Sequence, residues 1–406
     1  MRFRILALAI ALLFVLPLGG RCMELDLTTP APPRAVPQLS SGALLDAPPM
    51  KLDCAAAMLL EAESGQILFE FNADSQRAVA SVTKLMTILL TLEAIDSGRL
   101  ALEQQVVISK EAAGMGGSQV LLDVGETQSV SLLLKSMIVG SANDAAVALA
   151  EALYGSEALC CAKMNERAQE LGMADTHFVN CTGLPVDGQH TTARDVARMS
   201  IAVFGHSLYY AYSQIWLDEI DHGDGRMTQL TNTNKLIRLL DGCDGGKTGS
   251  TNEAGYCISA TAKRGGMRLI AVVLGASSGA KRFDIAKEML NYGFANYRLY
   301  PVAQRGARIR GEIRVLGGES DRLPLELGGD LTLLIQKGDE QNVRLTPTLP
   351  ETVDAPVDLG AKIGSVSIEI GDKTVAEIPI LAAEAVPGKG LKPSLRRLIL
   401  HWPLTE

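Results

Sequence analysis

Aromatic residues make up only 4% of this 406-residue chain, and histidine occurs five times. The seven cysteines include no Cys-x-x-Cys pair, and the histidines are scattered. Zinc and dithiol redox centres need ligands at short, fixed spacings, so neither a metal nor a redox cofactor is expected. Positive charge is also in short supply. Lys and Arg number 38 against 46 Asp and Glu, a formal net charge of -8, which argues against a general nucleic-acid partner. The apolar run Ile5–Leu18 follows Arg2 and Arg4, is too short to span a bilayer comfortably and is broken by Pro17, Gly19 and Gly20. This pattern predicts a secretory signal peptide over residues 1–22. No Ala-x-Ala marks a cleavage site, and Arg21 precedes Cys22 where a lipid-anchoring signal needs a small residue. Residues 23–50, with Thr28-Thr29-Pro30-Ala31-Pro32-Pro33, read as a Pro-rich spacer.

Apolar residues are plentiful, at 47% against 21% charged, and the length suits two domains or more. Residues 51–298 read as a mixed α/β domain. Strand patterns sit at its start, from Leu59 to Phe71, and near its end, from Lys247 to Gly275. Helical patterns fill the middle and close the domain at Phe283–Tyr297. That order predicts an antiparallel sheet built from both ends of the domain, with flanking helices. Residues 301–385 change texture to short alternating runs separated by Gly and Asp, a small all-β C-terminal domain. Residues 390–403 are amphipathic. Leu391, Leu395, Leu398, Ile399 and Trp402 share one face, while Lys392, Arg396, Arg397 and His401 lie off it. Such a helix suits the interface of an anionic membrane, or docking on a neighbouring domain.

The chemistry centres on Ser81-Val82-Thr83-Lys84, where a loop becomes a long apolar helix. Three residues on, a helix returns to nearly the same face, so Lys84 lies one turn from Ser81. A serine hydroxyl becomes a nucleophile when a neighbouring base takes its proton. A lysine amine serves if burial or nearby positive charge lowers its pKa. Free N–H groups at the helix start face any oxyanion formed there. Two further motifs follow: Ser141-Ala142-Asn143 in a break between helices, and Lys247-Thr248-Gly249 on a strand after Gly245-Gly246. Each alone is common.

Together, in this order, they resemble the penicillin-recognising serine enzymes. Their surroundings resemble the D-alanyl-D-alanine carboxypeptidases, the low-molecular-weight penicillin-binding proteins. The matching stretches are Arg77–Thr87, Ser141–Ala145, Leu171–Met173, Thr176–Asn180, Thr182–Leu184, Thr192–Asp195 and Asp244–Gly249. Val79, usually Pro, and Ser250, often His or Tyr, depart from the family pattern. The resemblance implies a β-lactamase/transpeptidase-like fold from about Leu52 to Tyr297 and, more weakly, the β domain and tail. It implies a substrate too, a peptidoglycan stem peptide ending in D-Ala-D-Ala, with β-lactams as covalent inhibitors.

The roles implied are Ser81 as nucleophile, Lys84 as its base and Ser141 as proton relay to the leaving amine. Asn143 holds the peptide amide and helps fix Lys84. Lys247 and Thr248 bind the terminal carboxylate, and the charge of Lys247 keeps Lys84 neutral. The N–H groups of Ser81 and of Ser250, which follows Gly249, form the oxyanion site. Arg282 either binds the carboxylate or makes a surface ion pair, and His190 is either near the cleft or a plain loop residue. A serine β-lactamase needs fast deacylation, which a loop glutamate serves in class A enzymes, and between Gly172 and Ala193 the acids are only Asp175 and Asp187. A non-catalytic β-lactam or muropeptide sensor would carry degraded motifs, whereas all three are intact. Cys243 and Cys257 flank the Lys-Thr-Gly turn, so a disulfide or two reduced thiols both fit.

Overall fold

The computed structural model describes residues 37–41, 50, 52–371 and 373–390. The signal-peptide assignment, most of the spacer and the tail helix from 391 onward lie outside these residues. The first domain is built on a six-stranded sheet. Strand β1 (Ser40–Ser41) is followed by β2 (Ala56–Glu61) and β3 (Gln66–Phe71), and a 3-10 turn, Ala80–Thr83, runs straight into α1 (Lys84–Asp96). Next come β4 (Gln105–Val107), α2 (Lys110–Ala113), β5 (Thr127–Ser129), α3 (Val130–Val139), α4 (Asn143–Tyr154), α5 (Glu157–Glu170) and α6 (Ala193–Phe204). The chain continues through α7 (Ser207–Ser213), β6 (Leu217–Asp221), β7 (Met227–Thr231) and α8 (Leu236–Leu239). It returns to the sheet with β8 (Cys243–Thr251), β9 (Gly255–Arg264) and β10 (Met267–Ala276), then closes with α9 (Gly279–Asn296).

The sheet order is β1-β3-β2-β10-β9-β8, so the opening and closing strands meet where β2 pairs antiparallel with β10. Both are apolar along most of their length because both faces are covered. Strand period two sorts the residues. Met58, Leu60, Ile270, Val272 and Leu274 join the core beneath α1 and α3–α6. Ala57, Leu59, Leu269, Ala271 and Val273 join the core beneath α9. Ser40–Ser41, inside the stretch read as spacer, adds the edge strand, parallel to β3. The close approach needs Gly65, whose φ is +69° and whose added Cβ would lie 2.6 Å from the Gln38 carbonyl.

The sequence reading assigned no elements between Val203 and Gly242. Strands β6 and β7 form a hairpin there, each burying a single residue, Ile220 and Leu230. A strand with one buried side chain carries no alternation to detect.

Of the two readings left open for Cys243 and Cys257, the structure has the reduced thiols. The antiparallel register sets Cys243 opposite Ala262 and Cys257 opposite Gly249. The stretch from Cys257 to Ala262 separates them by about 17 Å. They also face opposite cores.

Strand β11 (Tyr297–Ala303) leaves α9 and pairs with β14 (Leu331–Gln336). Leu334 of β14 is buried in the core beneath α9, and Leu299 of β11 packs against it, which ties the two domains together. The other strands are β12 (Arg308–Leu316), β13 (Arg322–Leu327), β15 (Val343–Thr348), β16 (Thr352–Asp354), β17 (Lys362–Ile370) and β18 (Lys373–Ala382). They form a sheet in the order β15-β17-β18-β13-β12-β16 over a core that includes Ile313, Leu323, Leu325, Ile368 and Ile380. The chain is therefore a mixed α/β domain on an antiparallel sheet followed by an all-β domain.

Candidate active site

The half-buried Ser81 sits in the 3-10 turn that feeds α1. Its predecessor Ala80 has φ +49°, a left-handed conformation that costs a non-glycine residue energy and persists only when its surroundings enforce it. The enforcement comes from the loop 178–190. Gly183 packs so closely behind Ala80 that an added Cβ would lie 2.0 Å from the Ala80 carbonyl oxygen. From the other side comes β8. A Cβ on Gly249 would lie 2.8 Å from the Ser81 backbone nitrogen. Two glycines, far apart in sequence, thus let backbone close on the serine from both sides.

Lys84 begins α1 and is fully buried. Its Nζ lies 3.0 Å from Ser81 Oγ and donates to the Thr182 carbonyl at 2.7 Å. Burial pushes its pKa down to about 7, against the opposing pull of Cys181 and Asp144. A large fraction of the amine is therefore neutral near neutral pH and able to take a proton.

The second motif stands opposite. Ser141 lies between α3 and α4 with φ +62°, the other strained non-glycine position of the site. Its Oγ accepts from Lys247 Nζ at 2.7 Å. Lys247 comes from β8, is fully buried and also donates to the Thr248 carbonyl at 2.9 Å. Its pKa is lowered first by burial, then by the charges of Lys84 and Arg282. The structure thus brings Ser81, Lys84, Ser141 and the Lys247–Gly249 stretch of β8 together at the start of α1. Ser250 follows on the exposed end of β8, opposite Tyr256.

Several roles inferred from sequence change in detail. Asn143 does not fix Lys84. Its Nδ2 donates to the Gly116 carbonyl at 2.6 Å, and its buried Oδ1 has no partner among the described residues. The anchor of Lys84 is the Thr182 carbonyl, which sequence reasoning missed although Thr182-Gly183-Leu184 was among the matching stretches. Burial, rather than the charge of Lys247, is the first cause of the lowered Lys84 pKa. Arg282 makes no ion pair with any of the described residues. It donates through Nη1 to the Gly249 carbonyl at 3.0 Å and to that of Cys257 at 3.4 Å, between the Tyr256 and Phe283 rings. It braces the back of β8. His190 holds its own loop, with Nδ1 2.9 Å from the Gly188 carbonyl oxygen, while its backbone pairs with His177.

Asp144, one residue past Asn143, is wholly buried. Its carboxylate accepts from the Val120 and Leu122 N–H groups and so holds the loop beside the site. Burial raises its pKa, opposed by these N–H bonds. No group of three or more His, Cys, Asp or Glu that could hold a metal occurs among the described residues.

Known proteins similar to this chain span both of its domains. The family profile described as D-alanyl-D-alanine carboxypeptidase matches residues 44–278, and that of the penicillin-binding protein 5 C-terminal domain matches residues 297–388. D-alanyl-D-alanine carboxypeptidase DacF of Bacillus subtilis is 35% identical over 348 residues, covering 86% of this chain and 89% of its own. DacD of Escherichia coli is 32% identical over 84% of this chain and 89% of its own. The crystal structure of penicillin binding protein 5 from Haemophilus influenzae has a TM-score of 0.70 at 29% identity, covering 84% of this chain and 99% of its own.

Proposed function

The chain belongs to the D-alanyl-D-alanine carboxypeptidase family of serine peptidases, and from that premise we propose that it removes the terminal D-Ala from peptidoglycan stem peptides through an acyl-enzyme on Ser81. The observation that carries the reading is Lys84 Nζ at 3.0 Å from Ser81 Oγ, with Lys247 on Ser141 at 2.7 Å.

Ser81 Oγ attacks the carbonyl carbon of the penultimate D-Ala as its proton passes to the neutral Lys84 amine. The oxyanion is met by the N–H groups of Ser81 and Ser250. Lys247 and Thr248 hold the free carboxylate of the substrate. The unpartnered Oδ1 of Asn143 accepts the N–H of the bound peptide, which satisfies a buried acceptor that is otherwise costly. Ser141 passes a proton to the departing D-Ala amine, the C–N bond breaks, and water then cleaves the ester. A β-lactam acylates Ser81 by the same attack on its ring carbonyl. At Lys84 the loop 178–190 supplies a carbonyl and no carboxylate, which favours a slowly deacylating wall enzyme over a β-lactamase.

The substrate lies outside the cytoplasm, so the enzyme acts as an exported protein at the outer face of the bacterial membrane. The basic amphipathic tail would hold it there peripherally. No single described helix is long and apolar enough to cross a membrane.

The test is D-Ala release from diacetyl-Lys-D-Ala-D-Ala together with covalent labelling by penicillin. Ser81→Ala should abolish both. Labelling that survives in the variant would show another nucleophile.

A further inference from the structure

Strand β8 carries Lys247, Thr248 and Gly249, yet it is the edge of its sheet. An edge strand presents a row of backbone N–H and C=O groups with no strand to pair with. The stretch just before Lys247 is also irregular. The ladder with β9 slips between Cys243 and Gly245, and Gly246 has φ +140°, a conformation open only to glycine. A bulge beside a functional side chain is a hazard as well as a device, because displacing it by one residue turns the following side chains to the other face. Here that would swing Lys247 away from Ser141.

Side chains from the stretch after α6 take the place of the missing strand. The Tyr209 hydroxyl accepts from the Gly246 N–H at 3.1 Å and donates to the Gly246 carbonyl at 3.0 Å. Ser213, one turn further along α7, donates to the Asp244 carbonyl at 2.6 Å. Asn234 Nδ2 donates to the Gly245 carbonyl at 3.0 Å. Tyr209 is wholly buried and packed between Phe204 and Tyr210, with ring centroids 5.2 and 5.5 Å away, so its hydroxyl has little freedom. An edge-on phenol that exchanges both hydrogen bonds with one residue reproduces the pairing a neighbouring strand would supply.

We propose that Tyr209 and Ser213 of α7 are positioning residues for carboxylate recognition: they clamp the bulge of β8 so that Lys247 is presented to Ser141 and to the C-terminal carboxylate of the substrate. The inference rests on the assignment of Lys247 to that carboxylate. The clamp touches neither Ser81 nor Lys84, and Ser141 is held by the break between α3 and α4, so loss of the clamp falls more on recognition of the free carboxylate than on the steps that both substrates share. A displacement of Lys247 by an ångström or less suffices to cost one to two orders of magnitude.

The experiment compares kcat/KM on diacetyl-Lys-D-Ala-D-Ala with that on its C-terminal carboxamide, which has no carboxylate to bind. In the full chain Tyr209→Phe keeps the ring and removes both bonds. It should lower kcat/KM on the free acid about 10- to 100-fold, with KM carrying much of the change, and alter the carboxamide less than about threefold. Ser213→Ala, a milder variant that keeps the ring packing, should compress the preference in the same direction by a smaller factor. It supplies the test if Tyr209→Phe does not fold. Tyr210→Phe keeps the ring that packs on Arg268, removes a hydroxyl of the same helix that donates to the Phe204 carbonyl, and should leave the preference unchanged. Equal losses on both substrates, or no loss in either clamp variant, overturn the proposal. If the wild-type enzyme shows no preference for the free carboxylate, the assignment of Lys247 fails, and the clamp proposal falls with it.

Discussion

Replacing Lys84 with methionine should abolish acylation and, at neutral pH, stabilise the fold. The side chain is fully buried, and burial lowers its pKa from 10.5 to about 7. A shift of that size corresponds to about 5 kcal/mol of cost in forcing the charged form into the folded protein. Between pH 7 and 10.5 the unfolded chain carries a proton on Lys84 that the folded chain lacks. Wild-type stability therefore falls as pH drops through this window, by up to about 1.4 kcal/mol per unit, and levels off below pH 7. Methionine has no such dependence. It does leave the Thr182 carbonyl without its donor, a loss of about 1–3 kcal/mol at any pH. The net gain at pH 7 is then about 2–4 kcal/mol, shrinking to zero or reversing by pH 10. Lys247 titrates in both proteins, so most of its contribution cancels in the difference. The assay is urea unfolding of both proteins, followed by tryptophan fluorescence, at unit steps from pH 7 to 10. A difference that stays flat across that range would mean the folded protein keeps Lys84 charged. The amine could then not serve as the base for Ser81.

Kinetics offer a second check. The rate of acylation by penicillin should rise about tenfold per unit as pH approaches 7 from below and flatten above it, because the reactive form is the neutral amine; a rate that falls with rising pH would contradict this. Asn143→Ala deletes the bond to Gly116 and the free Oδ1, and should lower kcat/KM on the peptide about 10- to 100-fold while Ser81 still labels with penicillin at high concentration. Gly183→Ala should destabilise by more than about 2 kcal/mol and slow acylation, since its Cβ would strike the Ala80 carbonyl at 2.0 Å. Gly188→Ala in the same loop has a similar positive φ but meets only Val179 at 3.8 Å, so it should cost about 1 kcal/mol; equal costs at the two positions would refute the close-packing argument.

The family's tripartite pattern was readable because each part is local. Ser81 and Lys84 share one helical turn, Ser141 and Asn143 bracket one helix break, and Lys247–Gly249 lies on one strand. Strand β10 was equally readable, and β2 in part, since the strand reading began at Leu59. Weakly amphipathic elements were not. The β6–β7 hairpin buries one residue per strand, and α7 is a short helix whose importance lies in hydroxyl groups. The contacts of Asn143 and Arg282 also escaped, because side-chain partners on another element leave no periodic trace.

The sequence by itself determined that a serine and a lysine stand one turn apart at the start of an apolar helix, and that a mixed domain precedes an all-β one. Backbone geometry and hydrophobic period dictate these things within a few residues. Only the tertiary structure decided that Lys84 is held by a carbonyl 98 residues away, that Lys247 reaches Ser141 across 106 residues, and that Cys243 and Cys257 lie out of reach of each other. Those outcomes depend on strand register and on how closely glycine lets one backbone approach another, and neither is encoded at any fixed spacing along the chain.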